Sequence, residues 1–129
     1  MKFHSDHTLP TAPDSVFVFG SNLNGAHVGG AARVAAEQFG ASEGVATGAW
    51  GFSYAIPTLD RRFRPLPLET IKEFIVDFVA DATKDLTTEY FITRIGCGIA
   101  GFKDSQIAPL FNGAPDNCNF PDNWEAFLK

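Results

Sequence analysis

At 129 residues with 45% hydrophobic content, the chain has material for one sizeable core and not for two, so residues 1–129 read as a single domain. Fifteen acidic residues against ten basic ones leave a net charge of -5, which argues against a nucleic-acid or anionic-membrane surface, since both need clustered Lys and Arg. A small anionic ligand stays open, because helix N-termini and nests of backbone N–H groups hold phosphate without basic side chains.

The start, Met1-Lys2-Phe3-His4-Ser5-Asp6-His7, has no apolar block like a secretory signal, and no stretch approaches the roughly 18 apolar residues of a membrane span. A cytoplasmic setting is the expectation, and Cys97 and Cys118 are then expected to be free thiols. His4 and His7 have a possible metal spacing, but no second pair accompanies them, so no metal and no cofactor is expected.

Residues 15 to 20 are apolar and aromatic without polar alternation, the mark of a strand buried on both faces. The strand runs into a glycine-rich stretch with Asn22, Gly25, His27, Val28, Gly29 and Gly30. From Gly29 or Gly30, Ala31, Val34, Ala35 and Phe39 keep helical spacing, and Gly40 is placed to stop the helix. Ser53 to Pro57 reads as a short strand cut off by its proline, followed by the loop Asp60-Arg61-Arg62-Phe63-Arg64-Pro65. Leu68, Ile71, Phe74, Ile75, Phe78, Val79 and Ala82 then trace one face of a four-turn helix, the clearest in the chain.

Tyr90 to Ile95 reads as the next buried strand. It feeds a second glycine stretch, Gly96-Cys97-Gly98-Ile99-Ala100-Gly101-Phe102, and a short helix begun by Asp104 or Ser105 with Pro109 near its first turns. Asn117 to Phe120 looks like a last strand and Asp122 to Leu128 a terminal helical turn or two. Strands alternating with helices imply an α/β fold, a three-layer α/β/α sandwich around a mostly parallel, mixed sheet. Two glycine loops that each end a buried strand bare their N–H groups at its carboxyl edge, and two such loops can clamp a diphosphate from both sides.

The ordered set of Val16 through Asn22 with its loop and helix, Gly48 to Tyr54-Ala55-Ile56-Pro57, and Ile95 to Phe102 resembles the macrodomain superfamily of ADP-ribose-binding modules, in particular the compact macrodomain-like proteins of bacteria and their phages. The resemblance implies that Asn22 hydrogen-bonds the distal ribose. It implies that Val28, Gly29 and Gly30 border that ribose and meet phosphate, and that Gly96, Cys97, Gly98, Ile99, Ala100, Gly101 and Phe102 wrap the other side of the diphosphate. By the same resemblance Phe120 is the candidate platform for adenine, and Asp6 or Asp14 the acceptor for its amino group. Two positions depart from the family pattern. Gly29 stands where hydrolytic members often carry an acid, and Ala100 stands where an aromatic usually packs on the distal ribose.

The expected partner is therefore a small molecule, ADP-ribose or a close derivative, held by a binding or sequestering module. The alternatives are a hydrolase acting at the distal ribose, with Asn22 holding the sugar and His27 as acid-base candidate, and a structural or phage-assembly protein with a relict pocket. Plain readings stand beside these: Asn22 capping its own turn, His27 a solvated loop imidazole, Cys97 an inert small hydrophobe, and Phe120 a core residue.

Overall fold

The computed structural model describes residues 1–129. Six strands form one sheet: β1 (Lys2–His4), β2 (Val16–Asn22), β3 (Gly48–Trp50), β4 (Ser53–Leu59), β5 (Tyr90–Ile92) and β6 (Cys118–Pro121). Their spatial order is β1-β6-β5-β2-β4-β3, and every pairing is parallel except the antiparallel edge strand β3 on β4. The helices are α1 (Gly30–Gln38), α2 (Leu68–Lys84) and α3 (Asp104–Ile107), with 3-10 turns at Ala108–Phe111 and Asp122–Phe127.

Alternation along the central strands sorts their side chains onto two faces. Phe17, Phe19, Ala55 and Phe91 pack with Ala32 and Ala35 of α1. Val18, Tyr54, Ile56, Tyr90 and Ile92 pack on the other face with Ile71, Ile75, Phe78 and Ala82 of α2. That second core is larger and is extended by an aromatic chain in which Phe78 meets Tyr54, Tyr90 and Phe111 edge-on. Each fully buried Ile or Phe there contributes roughly 1.5–3 kcal/mol through lost apolar exposure.

Three expectations need correction. Pro57 does not cut β4, which runs on to Leu59 with all seven residues buried. The pairing of β3 with β4 ends at Gly48 and Ala55, two residues short of Pro57, so no strand on that side needs the missing N–H. The strand from Tyr90 ends at Ile92 rather than Ile95: Thr93 still donates its N–H to the Val18 carbonyl (3.1 Å), and the chain then turns away as β6 pairing stops at Phe91. Phe120 is not a ligand platform. Strand β6 sits between β1 and β5, which directs Phe120 into the larger core against Phe111 and Trp124, where it is 1% exposed.

Candidate functional site

Five parallel strands put their carboxyl ends on one edge of the sheet, and a cleft of about 850 Å³ lies along it. Its floor is Gly20, Ser21 and Asn22 from β2, Thr58 and Leu59 from β4, and Thr93 and Arg94 after β5. The two glycine stretches form its walls: Val28, Gly29 and Gly30 on one side, and Gly96, Cys97, Gly98, Ile99 and Ala100 on the other. Asp6 lines it at the β1 end and Phe63 at the β4 end. Two predicted loops about half the chain length apart are thus brought to one surface.

The first loop is held from below. The Asn22 amide closes on one backbone residue in both directions, donating from Nδ2 to the Ala26 carbonyl (2.8 Å) and accepting at Oδ1 from the Ala26 N–H (3.1 Å). Gly25 accepts at its carbonyl from the Gly44 N–H (2.9 Å). A Cβ on Gly25 would lie 2.5 Å from the Gly44 carbonyl carbon, so no larger residue fits between these two strands of loop. Asn22 therefore acts first as the brace of its own turn, while one amide hydrogen and one lone pair remain for a ligand in the cleft.

His27 is the residue that sequence reasoning misplaced. Its ring turns under the loop, packs edge-on against Phe19 at 5.2 Å, and donates from Nε2 to the Ser42 carbonyl (2.9 Å). It is 4% exposed and lies outside the cleft wall, so it is neither a solvated imidazole nor an acid-base group for a bound ligand. Glycines on both sides of it suggest an open loop, but the same glycines let the chain turn its one large side chain inward. Its backbone N–H is tied to Glu43 (2.8 Å), a further link between the two loops.

The second loop rests on a charged network. Arg94 is held by both oxygens of Asp104 (3.0 and 2.8 Å) and by Asp6 (3.0 Å), and the buried Trp124 donates its indole N–H to Asp104 (2.7 Å). The Arg94 guanidinium holds the Asp104 carboxyl below its ordinary value. Burial, and then the neighbouring Asp104 carboxylate, push the Cys97 thiol up to about 12, so it remains protonated near neutral pH and is no nucleophile. Gly101 and Phe102 do not reach the cleft wall. Gly101 closes a tight turn to the Gly98 carbonyl (3.0 Å), and Phe102 folds back to the Gly96 carbonyl (2.9 Å) with its ring against the core. Asp14 is exposed and away from the cleft.

Two of the cleft glycines have no internal reason to be glycine. A Cβ built on Gly29 or on Gly98 meets nothing within 4 Å, and neither residue has a positive φ. At the first turn of α1, which opens onto the cleft through Gly30, Ala31 and Ala32, no side chain caps the N–H groups and no acidic residue neutralises the helix end. No group of three or more His, Cys, Asp or Glu is placed to hold a metal ion, and both cysteines are free thiols.

No family model matches the chain, and no curated protein matches it. It is similar to a solved structure described as a protein of unknown function from Bacteroides thetaiotaomicron, with a TM-score of 0.61 and 12% identity, over 93% of this chain and 96% of that one. At that identity the likeness concerns the fold alone.

Proposed function

We propose that the protein binds ADP-ribose or a close derivative in this cleft, as a binding or sequestering module with the three-layer α/β/α architecture of the macrodomains and a cytoplasmic setting. The observation that carries the reading is the pair Gly29 and Gly98: both line the cleft, and neither is required by packing or backbone conformation. A side chain missing without internal cause leaves room for something outside, and the bare N–H groups beside Gly29 and in the second loop suit a diphosphate. Asp6 at one end and Asn22 beside the β4 end give the flanking sugar and base polar partners.

Binding takes precedence over hydrolysis in this reading. His27 lies beneath the loop, Cys97 is held as a thiol, and Gly29 supplies no carboxylate.

Calorimetric titration with ADP-ribose tests the reading. Gly29→Val and Gly98→Val are expected to melt within a few degrees of wild type, because both Cβ positions are open, and to weaken binding at least tenfold, about 1.4 kcal/mol. Full affinity in both folded variants would show that the diphosphate does not lie there. Chromatography of ADP-ribose esters after incubation reads out the hydrolase alternative directly.

A further inference from the structure

At the β4 end of the cleft stands Phe63, an aromatic ring without a function in the fold. It lines the cleft, is 49% exposed, and takes part in none of the aromatic pairs that knit the two cores. Its φ is +61°, a conformation that bulky residues rarely adopt. The one other non-glycine residue with positive φ is His7, and it lines the same cleft at the β1 end.

The loop is built to hold Phe63 in this position. Asp60 accepts at Oδ1 from the N–H groups of Arg62 (2.8 Å) and Arg64 (3.0 Å), and its carbonyl accepts from the Phe63 N–H (3.0 Å). Asn24 of the first glycine loop donates to the Arg61 carbonyl (2.8 Å), so the ring keeps a fixed place relative to the walls. Backbone strain persists only where the surroundings enforce it, and it concentrates at ligand-contacting positions.

The shape of the cleft bears on what the ring meets. β1 and β4 stand four places apart in the sheet, about 19 Å at the usual strand spacing, and one continuous cleft touches the ends of both. Arg61 and Arg62 immediately precede Phe63, are exposed, and form no ion pair, in a chain whose net charge is -5; Arg64 follows it and pairs with Asp60 (3.3 Å). An open ring in the cleft with cations next to it in the chain is a pattern suited to a nucleotide. Ala100 lines the wall formed by the second glycine loop, and its methyl group adds little bulk there.

We infer that Phe63 is the stacking surface for a second planar base, and that the preferred occupant is a dinucleotide, two nucleosides bridged by a diphosphate, rather than ADP-ribose with a bare distal sugar. The inference rests on the proposed reading only for the placement of the diphosphate between the glycine loops.

The test compares ADP-ribose with diadenosine diphosphate, which carries an adenine on the distal ribose, in wild type, Phe63→Ala and Phe63→Gly. The expected result is a dinucleotide bound at least tenfold more tightly than ADP-ribose by wild type, with the ratio falling to about one in both variants. Phe63→Gly relieves the positive φ and should melt no lower than wild type, which separates loss of the ring from loss of the fold. Equal affinities in wild type, or a preference that survives in Phe63→Ala, would overturn the inference. If wild type ignores ADP-ribose yet binds the dinucleotide through Phe63, the ADP-ribose reading falls and this one stands; if neither ligand binds, both fall.

Discussion

Glycine carries two separate meanings around one site. Gly25 is needed because two loop backbones pass too closely for a Cβ, whereas Gly29 and Gly98 have open space where a Cβ would be. Gly25→Ala should therefore destabilise the fold by about 2 kcal/mol or more, through backbone displacement at a position with φ of +66°. Urea denaturation checks this, and an alanine variant as stable as wild type would mean that the Gly44 loop yields freely. Sequence alone does not separate these meanings, because each depends on what lies across from the residue in space. Asn22 and His27 show the same limit. Their loop context is legible, but the direction of each side chain follows from partners at Ala26, Phe19 and Ser42 that only the folded chain brings near.

Between elements, the decisive joint is Arg94 with Asp6, Asp104 and Trp124, which ties the segment after β1, the end of β5, α3 and the last 3-10 turn together. Because the folded Asp104 pKa is depressed, its contribution to stability is fully present above the unfolded value near 3.8 and is lost as the pH falls through the folded value. Asp104→Asn retains an acceptor for Trp124 but not the charge facing Arg94. It should cost about 1–2 kcal/mol near neutrality, with the difference from wild type shrinking as the pH falls below 4, measured as chemical-denaturation midpoints against pH. A constant difference at every pH would remove the ion pair from the account. None of this joint was legible in the sequence, where Arg94 is one cation before a glycine run. The helices were legible, because α2 repeats its apolar face over four turns and needs no distant partner to be recognised.

For the molecule as a whole, a net charge of -5 and an anion site are compatible because the proposed donors are backbone groups at the carboxyl edge of the sheet. Binding there links loops from the two halves of the chain and should stabilise all of it. Free ADP-ribose at a hundredfold excess over its dissociation constant should add about 2.7 kcal/mol, seen as a rise in melting temperature of about 10 °C. No shift at that concentration would contradict a site spanning both loops. The alternation of strands and helices, and hence the α/β class, was legible from composition and periodicity. The edge strands were not: β1 and β3 have three residues each, too few to show a period of two.

The pairing of β1 with β6 also sets an order of events in time. His4 meets Asn119 across 115 residues of chain, and Lys2, Phe3 and His4 pair only with β6. On a ribosome, β2, α1 and β4 can join as soon as they emerge, but the first strand has no neighbour until nearly everything else has been made. Asp6 follows β1 directly, so its end of the cleft is assembled last. Between the emergence of the second glycine loop and that of β6, the nascent chain holds a half-built site, its glycine walls present and its Asp6 end still open.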